Sequence, residues 1–491
     1  MEFLLFFFGF LLLLHLFKNV LLSSKRLPPS PWGLPLIGHL HLIGRMPHHS
    51  LQKLSRKFGE IMYLKLGMIP AIVISSPDLA KQMFKTGDTT FSFRPYLLVG
   101  EHSGYNFKGI ALANGDHWKS MRKICTTELF TVKRIDSFLW VRMKELSYLV
   151  SSLAQACNDQ SIVDVREHLT VLTFNVQTRI LMSKRFFGEN LSDDELAEAR
   201  VFKELIDESV QFAFQFHISE FVPSWLKWID WNIPQAKRVA AKQDEFLQKI
   251  MDEHKAKKSS PTKDFMDILL EHRGDDQEVV KATLMEILAA GTDTSACTVE
   301  WALLELLNNP EIMKKAQEEL DVVVGGGRTV LESDFPKLTY LEAMIKETFR
   351  IHPPTPLLVP RMSTQACALG QSFHIPKGAT TIVNYYSIGR DPEVWENPAK
   401  FWPERFLGLA IDVKGHNFEL IPFGAGRRIC PGMSLGLKTV YLTLGNLLHG
   451  FDWHRLPGKN YGVDETFGAV TWPKSSLQVR VTRRLANTNT Q

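Results

Sequence analysis

The chain has 491 residues, with 57 Lys and Arg against 53 Asp and Glu, so its formal net charge is +4. So small an imbalance gives no support to a nucleic-acid-binding protein, which would carry a basic domain or stripe. Hydrophobic residues make up 45% and charged residues 22%, which excludes a largely disordered chain and the collagen and mucin-like classes. The five cysteines are scattered without a CxxC pair, so neither a disulfide framework nor a zinc cluster is indicated.

The chain begins with an apolar segment, FLLFFFGFLLLLHLF from Phe3 to Phe17, which continues past Lys18 to Leu22. A transmembrane helix needs roughly 20 apolar residues, and a lysine near its end can reach the lipid interface. No small-residue cleavage site follows, which favours a retained anchor over a cleaved signal peptide. Because the positive charges follow the apolar segment, the sequence predicts a single-pass membrane anchor over residues 1–24 with a cytosolic body.

A proline-rich segment comes next, LPPSPWGLP from Leu27 to Pro35. Proline fixes φ and restricts the residue before it, so the segment predicts a stiff, non-helical hinge over residues 25–38. Such a hinge would hold the folded body at a set tilt against the membrane, and an ordinary linker is the alternative. Four histidines follow it and are predicted to be surface residues rather than metal ligands: His39, His41, His48 and His49.

Helical periodicity dominates from about residue 45 onward. The predicted helices cover residues 50–58, 117–127, 134–156, 165–185, 194–216, 236–256, 278–308, 310–324, 337–350 and 433–449. Short strands are predicted at residues 61–66, 71–75 and 380–384. No repeat and no convincing linker divides the chain. We therefore predict a mainly α fold with a small β region, in a single large domain over residues 39–491.

Polar residues interrupt the apolar helix over residues 281–308, in the segment AGTDTS from Ala290 to Ser295. A buried Asp293 is costly unless it has partners or a role. Thr294 can donate back to the carbonyl of Ala290, and Gly291 lets the helix deform. The pattern agrees with an opening in the helix that relays protons beside a cofactor. It also agrees with a simple kink in which the aspartate has hydrogen-bond partners.

The segment PFGAGRRICPG, from Pro422 to Gly432, is the strongest signal in the chain. Its three glycines allow a tight loop that can approach a flat cofactor closely. Cys430 precedes a predicted helix, whose N-terminus favours a thiolate, and Arg428 supplies positive charge beside it. A thiolate in such a loop suits an axial ligand to haem iron, whereas a lone cysteine is usually a buried structural residue.

This loop resembles the haem-binding signature of the cytochrome P450 family, FxxGxRxCxG, through Phe423, Gly426, Arg428, Cys430 and Gly432. Other segments resemble further P450 motifs in the expected order over nearly the whole chain. The resemblance implies the P450 fold behind an N-terminal transmembrane helix, and a haem b cofactor whose iron has Cys430 as its axial ligand. It also implies that Phe423, Arg428 and Gly432 contact the haem.

Three further groups of residues take their roles from the same resemblance. Asp293 and Thr294 match the motif that delivers protons for dioxygen cleavage. Trp118 and Arg122, together with Arg361, are expected to bind the haem propionates. Glu347, Arg350 and Arg405 match the ExxR and PERF motifs, which implies a buried triad that stabilises the fold and retains the haem.

The resemblance implies a haem-thiolate monooxygenase of the endoplasmic reticulum membrane. It would take electrons from NADPH through a flavoprotein reductase and insert one atom of O2 into a lipophilic substrate. No flavin or nicotinamide fingerprint follows a strand, which is why a separate reductase is expected. The basic residues Lys119, Lys123, Lys133 and Arg134 are the expected docking face for that reductase, with a solvated surface as the alternative.

The motifs AGTDTS, FWPERF and PFGAGRRICPG resemble those of the plant microsomal P450s of specialised metabolism. The segment from Asp116 to Phe130 resembles the corresponding segment of members that hydroxylate flavonoids and phenylpropanoids. A terpenoid or alkaloid substrate is the alternative. Other classes left open are a haem-thiolate isomerase or dehydratase, a haem sensor and a structural membrane protein without haem. Substrate contacts are expected from residues 103–110, 208–216, 284–294, 356–360 and 467–470.

Overall fold

The structure, a computed structural model, describes residues 26–188, 191–256, 263–274, 276–370 and 373–485. The predicted anchor over residues 1–24 lies outside the described residues. Within the described ranges, no helix combines the length and apolarity needed to cross a bilayer. The described residues form a mostly helical fold with a small β region in one domain.

The α-helices of the described chain vary from one turn to 32 residues. In chain order they are α1 (Pro47–Phe58), α2 (Pro77–Lys81), α3 (Leu98–Glu101), α4 (Gly115–Glu128), α5 (Val132–Ser137), α6 (Leu139–Asn158), α7 (Val165–Met182), α8 (Asp193–Ala213), α9 (Ile233–Ala256), α10 (Phe265–Arg273), α11 (Gln277–Asn308), α12 (Pro310–Val324), α13 (Thr339–Ile351), α14 (Tyr385–Ile388) and α15 (Met433–Gly450).

The strands are short. They are β1 (Ile61–Leu66), β2 (Ile69–Ile74), β3 (Val163–Asp164), β4 (Arg361–Met362), β5 (Cys367–Leu369), β6 (Phe373–Ile375), β7 (Thr380–Val383), β8 (Phe451–Arg455), β9 (Glu465–Thr466), β10 (Trp472–Pro473) and β11 (Gln478–Arg483). A four-stranded sheet has the order β1-β2-β7-β4, in which β2 and β7 are parallel and the other pairs are antiparallel. A three-stranded sheet has the order β3-β11-β8, and β5–β6 and β9–β10 are two-stranded hairpins.

Helix α11 forms the centre of the molecule. The side chain of Asp276 caps its first turn by accepting from the N–H of Val279. An apolar surface on nearly all sides of α11 is buried against α7, α13 and α15, as expected for a helix without a polar face. At 32 residues the helix is about 48 Å long. Its midpoint, where the polar segment lies, is therefore deep inside the protein.

The predicted helix over residues 134–156 is wrong in one respect, because the structure divides it into α5 and α6. Phe138 separates them with φ −92° and ψ 7°, outside the α region. The Ser137 hydroxyl donates to the carbonyl of Arg134 at 2.7 Å, a local side-chain bond that competes with helix continuation. The hydrophobic period continues across the break, which is why the sequence pattern did not reveal it.

The described part of the predicted hinge packs against the body of the protein. The N–H of Tyr63 in β1 donates to the carbonyl of Pro29 at 2.9 Å, and Gly38 forms a β-bridge with Leu66. Proline removes a backbone donor but leaves its carbonyl free, so a proline-rich segment can still accept bonds from a neighbouring strand. The hinge is thus non-helical, as predicted, and fixed to β1 at both ends.

Two histidines predicted at the surface are buried instead. His39 is 5% exposed, and its Nδ1 accepts from the N–H of Lys65 at 2.7 Å while its Nε2 lies 2.9 Å from the carbonyl oxygen of Pro31. His48 is fully buried beside Glu465. Both imidazoles form hydrogen bonds with backbone or carboxylate groups of other segments. The local polar sequence did not indicate these contacts.

Candidate active site

A cavity of about 290 Å³ lies between the middle of α11 and the loop that precedes α15. Eight of the residues singled out from the sequence line it: Trp118, Arg122, Thr294, Arg361, Phe423, Arg428, Cys430 and Gly432. They come from α4, α11, β4 and the loop before α15. One cavity therefore brings together side chains that are more than 300 positions apart in the chain.

The loop before α15 is held in a tight conformation by its glycines. Gly424 and Gly426 have φ of 68° and 70°, and a Cβ on Gly426 would lie 2.6 Å from the carbonyl oxygen of Phe84. The N–H of Cys430 donates to the carbonyl of Phe423 at 3.0 Å. Burial raises the pKa of the Cys430 thiol, while the N–H groups of Gly432 and Met433 and the charge of Arg122 lower it. Coordination to a metal would deprotonate such a thiol.

Four arginines line the cavity: Arg94, Arg122, Arg361 and Arg428. Burial and repulsion from Arg361 and Arg122 lower the pKa of Arg428 to about 9, and burial lowers that of Arg361 to about 10. Nη1 of Arg428 is buried and has no partner among the described residues. Glu286 is the one carboxylate among the described lining residues. Asp88, which does not line the cavity, pairs with Arg361 at 3.3 Å. The remaining excess of buried positive charge fits a ligand that brings its own carboxylates, as haem does with its propionates.

Trp118 supports Arg428 directly. The Arg428 guanidinium lies 3.8 Å from the centre of the Trp118 ring, a cation–π contact. Nε of Arg428 also donates to the carbonyl of Ser92 at 2.8 Å, and Nη2 donates to that of Ala113 at 2.6 Å. The resemblance in the sequence implied that Trp118 binds a haem propionate. The structure shows that its indole holds one of the arginines that would bind them.

Arg94 belongs to the site and was missed from the sequence, whereas Glu286 was expected only as a member of the substrate-contact segment over residues 284–294. The Arg94 guanidinium donates to the carbonyls of Val359 at 2.7 Å and Pro360 at 2.9 Å. Oε2 of Glu286 accepts from the N–H of Ala111 at 2.7 Å. No spacing pattern separates Arg94 from other arginines. Glu286, an acidic residue in an otherwise apolar helix two turns before Thr294, carried a signal that could have identified it.

Helix α11 continues through the polar segment without a break. The Thr294 hydroxyl donates to the carbonyl of Ala290 at 2.7 Å, and Thr294 lines the cavity. Gly291 leaves room for the amide of Gln177 in α7, because a Cβ at Gly291 would lie 2.4 Å from Gln177 Nε2. A polar amide thus lies against the helix beside Thr294. The sequence gave no indication of Gln177.

Asp293 does not line the cavity. Burial, with a smaller contribution from Asp207, raises the pKa of Asp293 to about 6, and the charges of Lys203 and Arg166 oppose this shift. Lys203 and Asp207 belong to α8 and form an ion pair at 2.6 Å. Successive helix positions point about 100° apart. Asp293 therefore faces α7 and α8, while its neighbour Thr294 faces the cavity.

The structure brings Glu347, Arg350 and Arg405 together in the core. Arg350 donates to both carboxylate oxygens of Glu347, at 2.7 and 2.8 Å, and Nε of Arg405 donates to Oε1 at 3.1 Å. The side chains of Glu347 and Arg350 are fully buried. Arg350 also donates to the carbonyls of Gly389 and Pro398. The three residues do not line the cavity, in keeping with a structural role.

The cavity wall contains part of the predicted substrate-contact set. The members that line it are Ile110, Glu286, Ile287, Ala290, Gly291, Thr294, Leu358 and Val359. Residues 208–216 and 467–470 do not, although Phe214 and Phe467 contact each other edge to face at 6.3 Å. These two segments therefore meet outside the described wall of the cavity.

Comparison with known proteins agrees with this arrangement. The family model described as Cytochrome P450 matches residues 28–481. The chain is 40% identical over 478 residues to "Flavonoid 3'-monooxygenase" of Petunia hybrida, which covers 94% of this chain and 92% of the relative. It is 42% identical to "Flavonoid 3',5'-hydroxylase" of Eustoma exaltatum subsp. russellianum, with 94% and 92% covered. It is 39% identical to "Cytochrome P450 81Q32" of Catharanthus roseus, with 92% and 90% covered.

Proposed function

The chain belongs to the cytochrome P450 family and is a P450 monooxygenase, and we propose that its substrate is a flavonoid or a closely related phenolic compound. P450 monooxygenases contain haem iron, consume O2, receive electrons from a redox-partner reductase and act on small substrates. For this chain the proposal is a haem b cofactor, an NADPH-dependent flavoprotein reductase and a lipophilic substrate that gains one hydroxyl group.

The proposed haem site rests on the excess of positive charge in the cavity beside Cys430. When bound, the haem would supply the chemistry of oxygen activation, and Cys430 would hold its iron. Arg94, Arg122, Arg361 and Arg428 would bind its propionates. Phe423 would help to shape the pocket, because its ring packs edge to face on Phe349 at 5.3 Å. Gly432 lies beside the sulfur, because its Cβ position lies 4.0 Å from Sγ of Cys430.

Carbon monoxide binding tests this assignment of Cys430. The reduced protein with carbon monoxide is expected to show the Soret shift typical of a thiolate-ligated haem. Cys430→Ser should lose that shift, whereas Cys125→Ser, which changes a buried cysteine away from the cavity, should keep it. A thiolate-type spectrum in Cys430→Ser would contradict the assignment.

The substrate proposal rests on relatives at 40 and 42% identity whose names specify flavonoid hydroxylation. A relative at 39% identity carries only a general P450 name, so identity alone does not separate the substrate classes. A terpenoid or alkaloid hydroxylated by the same chemistry is the alternative.

A substrate screen separates these alternatives. The full chain, reconstituted with a P450 reductase and NADPH, is incubated with flavonoids, terpenoids and alkaloids, and products are identified by mass spectrometry. A flavonoid product that is heavier by one oxygen atom is expected, and its formation should require NADPH. Turnover confined to terpenoids or alkaloids would contradict the substrate proposal. Turnover without NADPH would indicate an isomerase or dehydratase.

The protein is further proposed to be a single-pass protein of the endoplasmic reticulum membrane, with the domain over residues 39–491 in the cytosol. An apolar patch on the described surface supports contact with lipid. Trp225, Trp228 and Trp231 are 69%, 75% and 67% exposed, and tryptophan is favoured at lipid interfaces. Exposed Phe216 of the same region and exposed Met68 of the β1–β2 turn extend this patch.

The reductase is proposed to dock on exposed lysines of α4 and α5. Lys119, Lys123 and Lys133 are exposed, and α4 also carries Arg122 on its cavity side. Lys119 pairs with Asp116 at 2.8 Å, which reduces its contribution to the surface potential. Because exposed charges are screened by salt, electron transfer through this surface should slow as ionic strength rises.

A further inference from the structure

A cluster of two imidazoles and one carboxylate lies outside the active site, between α1 and the β9–β10 hairpin. His48 and His49 are adjacent residues in the first turn of α1, and Glu465 is the first residue of β9. Nε2 of His48 lies 2.9 Å from Oε1 of Glu465, and Nε2 of His49 lies 2.5 Å from the same oxygen. The potential ligand atoms of the three residues all lie within 4.8 Å of one another.

The packing fixes His48 and Glu465 in place, whereas the His49 side chain is 38% exposed. The side chains of His48 and Glu465 are 0% and 8% exposed. The His48 ring packs edge to face on Tyr386 at 4.8 Å and stacks on Phe467 at 5.5 Å. His48 and Glu465 would therefore lose little side-chain entropy when a ligand binds, so two of the three ligands are preorganised.

A second cavity, of about 480 Å³, gives access to the cluster. His49 and Glu465 line it, together with other polar side chains, so water could complete a coordination shell. Arg390 also lines this cavity, and its positive charge opposes a bound cation. The carboxylates of Glu305 and Asp464 lie in the same wall and offset that charge.

We propose that His48, His49 and Glu465 bind a Zn²⁺ ion, with water as a fourth ligand. Two imidazole nitrogens and one carboxylate oxygen form a set that Zn²⁺ uses in proteins, and the imidazoles disfavour Mg²⁺ and Ca²⁺. Tetrahedral zinc separates its ligand atoms by about 3.3 Å, since its bonds are about 2.0–2.1 Å long. The observed 2.9 and 2.5 Å separations therefore need to open by less than 1 Å.

Zinc at this position would tie α1 to the β9–β10 hairpin. His48 already contacts Phe467 of that hairpin, and Phe467 contacts Phe214 beyond the end of α8. The ion would hold these segments together without taking part in the chemistry at Cys430. The proposal does not depend on the identity of the substrate.

Zinc stoichiometry tests the site directly. The full-length, haem-loaded protein carries a purification tag without histidines, is saturated with zinc chloride and is then dialysed. Metal analysis is expected to find one zinc per chain, and the zinc-edge X-ray absorption should show two imidazole ligands. His49→Ala removes one ligand, and His416→Ala removes an exposed histidine elsewhere as the matched control. The carbonmonoxide spectrum shows that each variant is folded.

His49→Ala is expected to weaken zinc binding at least about 100-fold, because even the loss of an outer-shell partner costs 10- to 100-fold. His416→Ala should bind zinc like the wild type. No retained zinc in the wild type would show that the three residues form a metal-free hydrogen-bonded cluster and would overturn the proposal. Equal zinc binding by the wild type and His49→Ala would overturn it too.

Discussion

Two adjacent residues of α11 face different surroundings, and this divides their roles. Thr294 lies at the cavity wall with its hydroxyl on the carbonyl of Ala290, while Asp293 lies among charged residues of α7 and α8. A carboxyl group with a pKa of about 6 can both release and accept a proton near neutral pH. We propose that the two residues together pass a proton from the charged side of the helix to the cavity.

The Thr294 hydroxyl can be tested against a closely matched threonine. Thr292 donates to the carbonyl of Leu288 at 2.8 Å, as Thr294 does to that of Ala290, but it does not line the cavity. Thr294→Ala is expected to lower the product formed per NADPH consumed by about tenfold, because a positioned proton donor is lost. Thr292→Ala should keep the ratio of the wild type. The measurement compares NADPH consumption with product and hydrogen peroxide, and unchanged coupling in Thr294→Ala would exclude the role.

Because its pKa is raised, ionisation of Asp293 is predicted to lower the free energy of unfolding, which makes this stability cost depend on pH. The folded-state pKa of about 6 exceeds the unfolded value of about 3.9, so the folded state binds the proton more tightly. The cost is therefore absent at low pH, grows as the pH rises through this window, and reaches about 2–3 kcal/mol above pH 6. Asp293→Asn should melt at a higher temperature than the wild type at pH 7.5, with a smaller difference at pH 5.

The exposed Asp159 provides the control for this pH comparison. Asp159→Asn changes a carboxylate whose hydrogen bonds from the described residues all come from Gln155, so its effect on melting should be small at both pH values. If Asp293→Asn changed the melting temperature equally at pH 5 and pH 7.5, the carboxyl group would not titrate in this range.

At the scale of elements, one carboxylate joins α13 to the segment that contains Arg405. Glu347 accepts from Arg350 of its own helix, from Arg405, and from the N–H of Trp402 at 2.7 Å. Arg350 continues the network to the carbonyls of Gly389, Pro398 and Lys400. Three irregular segments are thus held against one helix by charged groups that are almost completely buried.

Glu347→Gln should destabilise the fold strongly, because it leaves two buried guanidinium groups without their counter-charge. Breaking such a buried pair costs about 3–5 kcal/mol, a large share of the stability of a typical domain. We expect most of the folded, haem-loaded protein to be lost, as measured by the carbonmonoxide difference spectrum of expressing membranes. Glu342→Gln on the same helix breaks only the half-exposed pair with Lys346 and should be tolerated. Equal yields of the two variants would contradict a structural role for the triad.

At the scale of the whole molecule, the active site and the apolar patch depend on segments that are far apart in the chain. The cavity brings together α4, α11, β4 and the loop before α15. The region that contains Trp225 to Trp231 adjoins the β1–β2 turn, since the N–H of Met68 donates to the carbonyl of Phe221 at 2.7 Å. This turn in turn contacts the hinge, because the N–H of Gly67 donates to the carbonyl of Ile37 at 3.0 Å.

Removal of the three tryptophans should weaken contact with lipid. In a chain without residues 1–26, replacement of Trp225, Trp228 and Trp231 by glutamine is expected to lower binding to phosphatidylcholine vesicles at least tenfold. The reason is that their apolar rings are lost from the interface. Trp140→Gln changes an exposed tryptophan of α6 outside the patch and serves as the control. Equal co-sedimentation of the triple variant and the control would show that the patch does not bind lipid.

The sequence alone predicted most of the helices, because their apolar residues recur at the helical period. It also predicted eight residues of the cavity through local motifs, whose glycines, cysteine and arginines are recognisable without a structure. The strand β8 and its partner β11 were missed, because their pairing joins residues 451–455 to 479–483 and leaves little signal in either segment alone. Short helices such as α3 and α10 were missed as well, because few turns give a weak period.

The tertiary structure decided which side chains meet. Arg94, Gln177 and Glu286 join the cavity through contacts with distant backbone, and His48 and His49 meet Glu465 from more than 400 positions away. It also separated Asp293 from the cavity that its neighbour Thr294 lines. The physical reason is that a local pattern fixes how a segment folds and which of its faces is apolar. The partners of a buried charge are set by how the segments pack together, and that packing depends on the whole chain at once.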